Sequence, residues 1–157
     1  MTVLGVISDT HGLLRPEAME ALRGSAHILH AGDIGAPEIL DELRTIAPVT
    51  AVRGNVDRGA WARSIADTEV FQVEGVSFYV LHILGELDLK PEAAGFAVAV
   101  YGHSHVPKVE VKNGVLYFNP GSAGPRRFKL PVTVGKLVVE GGAVREEIVE
   151  LRVPGSP

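Results

Sequence analysis

Seven side chains able to donate oxygen or nitrogen stand just after apolar runs of this 157-residue sequence. Ser8-Asp9-Thr10-His11 follows Thr2 to Ile7, His30-Ala31-Gly32-Asp33 ends the second run, and Arg53-Gly54-Asn55-Val56-Asp57 follows the third. His82 closes the run from Val76, and Gly102-His103-Ser104-His105 follows Ala97 to Tyr101. In an extended segment, side chains two apart point the same way. Asp9 with His11, and His103 with His105, are therefore each expected to reach one ion together. Taken singly these elements are ordinary, since Gly-Asp and Gly-Asn are common turn dipeptides. Their joint occurrence after strands, where loops present side chains from a rigid scaffold, is what points to a site.

Seven O and N donors exceed the four of a closed tetrahedral zinc site. They suit two neighbouring borderline cations, with water in the open positions. Two divalent ions would carry four positive charges, of which Asp9 and Asp33 cancel two. The remainder would attract a phosphate and lower the pKa of a shared water. Ions roughly 3.5–4 Å apart can clamp both the attacking and the leaving oxygen of an in-line displacement, so hydrolysis of a phosphate ester is the expected chemistry.

The elements that must position these residues are legible from periodicity. Thr2 to Ile7, His27 to Ala31 and Val49 to Val52 read as buried strands. Between them, Pro16 to Arg23 and Ala36 to Thr45 read as amphipathic helices, the first opened by Pro16 and stopped by Gly24. Strand–helix–strand–helix–strand implies parallel strands with crossover helices. The second half reads as antiparallel. Glu69 to Val73 and Val76 to His82 flank Glu74-Gly75, and Lys108 to Lys112 and Val115 to Phe118 flank the strong turn pair Asn113-Gly114. Thr133 to Val139 and Val144 to Val153 form a last hairpin, a short helix is expected between Ile83 and Gly95, and the tail Pro154 to Pro157 reads as loose. The expected fold is α/β (α+β), two mixed sheets packed together in a four-layer αββα sandwich with helices outside. A single domain over 1–157 fits the length.

Composition narrows the class. With no Cys, disulfide frameworks, thiolate zinc sites, iron–sulfur clusters and thiol nucleophiles are excluded. A net charge of −4 argues against nucleic-acid binding through bulk electrostatics. No apolar run reaches the roughly 18 residues of a membrane span, and the start does not resemble a signal peptide, so a cytoplasmic location is expected. The apolar content permits a homodimer.

The motifs Asp9-Thr10-His11, Gly32-Asp33, Gly54-Asn55, His82 and Gly102-His103-Ser104-His105, in that order, make the sequence resemble the calcineurin-like metallophosphoesterases. The resemblance is to their small single-domain prokaryotic phosphodiesterase branch, and Asn119-Pro120-Gly121-Ser122 matches a further segment of that branch. It covers essentially the whole chain and implies a dinuclear metal-dependent phosphodiesterase acting on a small-molecule phosphoester by attack of a metal-bridging hydroxide. The family fold, two packed sheets flanked by helices, agrees with the elements above.

By this resemblance Asp9, His11, Asp33 and His105 would hold one ion. Asp33 would bridge to a second held by Asn55, His82 and His103, with Asp33, Asn55 and His103 also serving catalysis. Manganese leads as the metal, ahead of nickel, iron, cobalt and zinc. The family also contains a non-catalytic interaction module, retromer's small subunit, which is the rival reading.

The sequence departs from the family pattern twice. Larger members read Gly-Asn-His after the third strand, whereas here Val56 and Asp57 follow Asn55, as the small branch commonly has no His there either. Asp57 is read as a loop hydrogen-bonding residue rather than a substitute. Ile83-Leu84 precede Gly85 where relatives place Gly directly after the histidine, so a reshaped loop is expected. Arg126 is a candidate donor to substrate phosphate, and His27 and His30 are read as scaffold.

Overall fold

A computed structural model describes residues 1–154. The last three residues of the tail read as loose, Gly155 to Pro157, lie outside that range. Ten strands form two five-stranded sheets. The first contains β1 (Thr2–Ile7), β2 (His27–His30), β3 (Val49–Ala51), β9 (Thr133–Glu140) and β10 (Ala143–Glu150), in the order β10-β9-β1-β2-β3. The second contains β4 (Thr68–Val73), β5 (Val76–Leu81), β6 (Val98–Val100), β7 (Lys108–Lys112) and β8 (Val115–Asn119), in the order β4-β5-β6-β8-β7.

The chain's two halves do not correspond to a parallel and an antiparallel half, as periodicity alone implied. β1, β2 and β3 are indeed parallel, but the C-terminal hairpin returns to their sheet and pairs antiparallel with β1. In the other sheet β5, β6 and β8 run parallel. Alternation marks a strand and its faces but carries no information on which edge a distant hairpin will join.

Helices α1 (Pro16–Leu22) and α2 (Pro37–Leu43) begin with proline at the first helical position and bury Leu22, Ile39, Leu40 and Leu43 against the outer face of the first sheet. The second sheet has a thinner cover. A 3-10 turn (Leu84–Glu86) and the one-turn α3 (Pro91–Ala94) lie outside it, where Tyr79, Leu81 and Tyr101 pack with Leu84, Leu87 and Phe96. No helix among the described residues is long and apolar enough to cross a membrane.

The core between the sheets joins Leu4, Val6, Leu29 and Leu137 from one to Phe78, Val80, Val100 and Phe118 from the other. Contact is tight at Gly135 on β9, where a Cβ would meet the Phe118 ring carbons Cε2 and Cζ at 2.5 and 2.6 Å. The missing side chain makes room for a fully buried aromatic ring. Gly135→Ala should therefore destabilise by about 1–3 kcal/mol through overpacking. In urea unfolding, Phe118→Leu should recover part of that loss in the double variant, because the two sites couple by direct contact.

Candidate metal centre

Strand order brings the polar loops together. β1 and β2 are parallel neighbours with Ile7 opposite His30. Backbone hydrogen bonds continue beyond the strands, from Asp9 N to Gly32 O (3.0 Å), His11 N to Asp33 O (2.9 Å) and Gly12 N to Ile34 O (2.8 Å). The Asp9 and Asp33 loops are thus zipped side by side. β5 and β6 reach the same end from the second sheet, and Gly102 N donates to His82 O at 3.0 Å.

The loop backbone is not extended at these residues. Asp9, His11, Asp33, His103 and His105 all have left-handed φ, from 47° to 73°. Non-glycine residues adopt this region at a cost and persist in it where the surroundings over-determine them. The consequence corrects one expectation: His103 and His105 do not share an ion by alternation. Candidate ligand atoms fall into two groups, Asp9 with His11 and His105, and Asp33 with His82 and His103, each within 4.8 Å. Asp9 and His11 do stay together, through these turns rather than through extended alternation.

The carboxylates divide their oxygens between loop and centre. Asp9 Oδ2 accepts from Ser8 Oγ (2.7 Å) and His103 N (3.1 Å). Its Oδ1 is fully buried without a hydrogen bond, facing Nε2 of His105 at 3.5 Å, His11 at 3.8 Å and His82 at 3.9 Å. Asp33 Oδ1 accepts from Val56 N at 3.0 Å. Its Oδ2 points inward, 3.1 Å from His82 Nε2 and 3.6 Å from His11 Nε2. Asp33 Oδ2 therefore lies between the two groups.

Three details test whether this donor set fits metal ions. His82 Nδ1 lies 2.7 Å from the Ala31 carbonyl, so it carries the proton and leaves an Nε2 lone pair facing the carboxylates, the arrangement that orients a ligating histidine. The 3.1 Å approach of His82 Nε2 to Asp33 is close but misaligned for hydrogen bonding, and Nε2 is left without a hydrogen-bond partner. His11 and His105 face each other Nε2 to Nε2 at 3.3 Å. Ligand atoms about 2.1 Å from one cation lie roughly 3.0–3.4 Å apart, so these separations are those of lone pairs aimed at common points. The set fits divalent cations.

Protonation follows the same geometry. Asp9 raises the His11 pKa against the opposing effect of burial, with Asp33 adding to the rise. Burial lowers His105. For Asp33 the cost of burial is outweighed by His82 and the Val56 amide, which hold its carboxyl low. Burial likewise opposes the charged form of His82, but Asp33 and the Ala31 carbonyl carry its pKa upward.

Residues around the donors hold them in place. Asp57 is buried and accepts from Ile34 N (3.1 Å), Gly35 N (2.9 Å) and Gly54 N (2.8 Å), latching the Asp33 loop to the Asn55 loop. It is a loop residue, as read from sequence. Gly54 allows this closeness, since a Cβ there would overlap the Asp33 amide nitrogen and carboxylate. Asn119 Nδ2 donates to Gly102 O and Ser104 Oγ, both at 3.1 Å, and Ser122 Oγ donates to Asp9 O at 3.1 Å. These bonds give the Asn119-Pro120-Gly121-Ser122 segment a physical role in anchoring the ligand loops.

His30, also read as scaffold, is fully buried. Its Nδ1 accepts from Gly32 N (3.1 Å) and its Nε2 donates to Thr10 Oγ1 (3.0 Å), which donates to Ile34 O (2.8 Å). His27 lies against Thr50 and stacks on Phe71, away from the centre.

Asn55 is exposed and lines a cleft beside His82. Arg126 Nε donates to Leu130 O within its own loop at 3.3 Å, whereas Arg127 is close enough for its charge to lower the pKa of both His11 and His105. No sequence signal separates the two arginines, since both belong to one irregular loop.

Two predictions concern this scaffold. Asp57→Ala strands three amides and should cost about 2–4 kcal/mol in urea unfolding, with weaker metal binding at both groups. Burial depresses the His30 pKa to about 4, against 6.5 in an unfolded chain. The unfolded state therefore takes the proton first, and this residue's contribution is full above pH 6.5 and lost as pH falls towards 4. In metal-free protein, the stability gap between wild type and His30→Gln should narrow by about 2 kcal/mol from pH 7 to pH 5.

Comparison with known proteins agrees with the geometry. A family model described as the calcineurin-like phosphoesterase superfamily domain matches residues 1–142. The chain is 36% identical over 166 residues to a probable metallophosphoesterase of Methanothermobacter thermautotrophicus, across 97% of this chain and 94% of that protein. It is 25% identical over 166 residues to phosphodiesterase MJ0936 of Methanocaldococcus jannaschii, across 94% and 99% of the two. Among solved structures, Vps29 of Chaetomium thermophilum shares the fold with a TM-score of 0.78 at 19% identity, over 96% and 97% of the chains.

Proposed function

The chain belongs to the calcineurin-like phosphoesterase superfamily and is a metal-dependent phosphoesterase, and from that premise we propose that it hydrolyses small-molecule phosphodiesters at the Asp33-centred cluster. The observation carrying this reading is the pair of buried, hydrogen-bond-free atoms, Asp9 Oδ1 and His82 Nε2, facing one another across the cluster. In the proposed assignment, Asp9, His11, Asp33 and His105 hold one divalent ion, and Asp33, Asn55, His82 and His103 the other. When bound, such ions would polarise the phosphoryl oxygens and acidify a bound water.

The protein's own part is preorganisation. His82 is locked in its Nδ1–H tautomer by Ala31, Asp33 is oriented by Val56 N and Asp9 by Ser8 and His103 N. A donor set held in this way needs no rearrangement as charge develops on the phosphate. Asn55 stands at the cleft side, where a side-chain amide can serve both ion and phosphate. Val56 is exposed where larger relatives carry a leaving-group histidine, and no imidazole stands at that position to protonate a departing alkoxide. The reading therefore favours diesters with good leaving groups. All-O/N ligation suits manganese, with nickel, iron, cobalt or zinc as competitors.

The non-catalytic alternative, which keeps the fold and one metal, gives no reason for two adjoining groups of candidate ligands, Asp9 with His11 and His105 and Asp33 with His82 and His103. Metal analysis should find two ions per chain, and bis(p-nitrophenyl) phosphate should be hydrolysed with added Mn²⁺. Asp33→Asn should reduce kcat at least about 100-fold while the protein stays folded by circular dichroism. A folded wild-type protein inactive with every divalent ion would refute the assignment.

A further inference from the structure

Beside the Asp33–His82–His103 group the surface dips into a cleft of about 690 Å³ that opens on His82 and Asn55. That volume lies within the range of small-molecule sites. Two stretches beyond the ligand loops contribute to its walls. One is a 3-10 turn (Ala60–Ser64) following Asp57, and the other is the stretch Ile83 to Glu86, where the chain departs from the family pattern after His82.

The charges of this cleft are unequally occupied. Arg53 is committed to Asp67, with Nε at 3.0 Å and Nη2 at 2.8 Å from the same Oδ1. Asp57 has turned its carboxylate to backbone amides. Arg58 and Arg63 also line the cleft, both exposed, and neither takes part in an ion pair or side-chain hydrogen bond among the described residues. Glu86 is the one remaining carboxylate of the wall. Leu81, Ile83 and Ala62 contribute apolar surface between these polar groups.

Guanidinium groups are planar, always charged, and match phosphate oxygens with paired donors. A diester phosphorus held at the cluster carries two ester arms, and the cleft is continuous with ligands on one side of that cluster. An arm entering it would lay its carbon skeleton over Leu81 and Ile83 and present its far end to the arginines. We infer that this cleft is a subsite for a second phosphoryl group carried by one arm of the diester, with Arg58 and Arg63 as the residues that select it. The inference rests on the phosphodiesterase reading and narrows its substrate class to small diesters bearing a further phosphate monoester.

The test uses two diesters differing by one phosphate, thymidine 5′-(p-nitrophenyl phosphate) with and without a 3′-phosphate, and the full-length manganese-loaded protein. The 3′-phosphate should lower KM about tenfold with little change in kcat, the size expected for one or two charge-assisted hydrogen bonds. In Arg58→Ala/Arg63→Ala the two diesters should have nearly equal KM, and Arg58→Lys/Arg63→Lys should retain part of the preference. A second readout does not depend on turnover. Calorimetric titration of the manganese-loaded protein should show thymidine 3′,5′-bisphosphate binding several-fold more tightly than thymidine 5′-monophosphate, and the double alanine variant should lose that difference. Hydrolysis of both diesters without discrimination, or discrimination that survives in the double alanine variant, would overturn the subsite. If neither diester is cleaved while the arginine-dependent binding difference persists, the subsite stands and the phosphodiesterase reading fails.

Discussion

Two buried carboxylates aimed at one another's imidazole partners are an electrostatic liability, and much of the polar structure at this end of the molecule holds them there. Opposed lone pairs at 3–4 Å would separate if their loops were free. They are not free. Asp9 Oδ2 and Asp33 Oδ1 are each tied to backbone amides, and this leaves the other oxygen of each with only imidazole nitrogen to face. The cost is stored in five left-handed residues and in buried atoms without hydrogen bonds. Backbone ladders carried past the ends of β1 and β2, and the Asp57 latch, sustain it.

This arrangement explains why an interior with an ordinary hydrophobic core is bounded by such a polar end. The two sheets pack through Phe78, Phe118 and Leu137, and neither helix α1 nor α2 supplies a ligand. The core's task is to keep β1, β2 and β3 of one sheet level with β5 and β6 of the other. Once those ends are level, donors far apart in sequence, His11 and His105 for example, meet within 3.3 Å. The same logic assigns Asn119 and Ser122 their part. Asn119 ties the end of β8 to Gly102 within the second sheet, and Ser122 ties the loop that follows to Asp9 at the end of β1 in the first.

The strands, the two longer helices and the turns at Asn113-Gly114 and Glu74-Gly75 were legible because each depends on local chemistry: period-two or period-3.6 burial, proline at a helix start, and positive φ at the turn residues. The return of β9 and β10 to the first sheet was not, because strand pairing is a contact between distant segments and alternation is the same on either edge. At the site, residue types and their order announced a metal centre. The partition of His103 and His105 between two groups went against simple alternation, because left-handed turns rotate side chains in a way that no spacing rule encodes. His30 and Asp57 illustrate the middle case. Their types permitted a scaffold role, and only the structure shows which amides and hydroxyls they satisfy.

By itself the sequence determined which oxygen- and nitrogen-bearing residue types stand at strand ends, the absence of thiolate, and the elements that carry them. Those properties reside in side-chain chemistry and local periodicity. Tertiary structure decided which oxygen of each carboxylate faces inward, which imidazole nitrogen keeps a free lone pair, and which arginines, Arg58 and Arg63 rather than Arg53, keep their charge unspent. These are questions of orientation and partner, and both are settled by contacts between residues that only the packed sheets bring together.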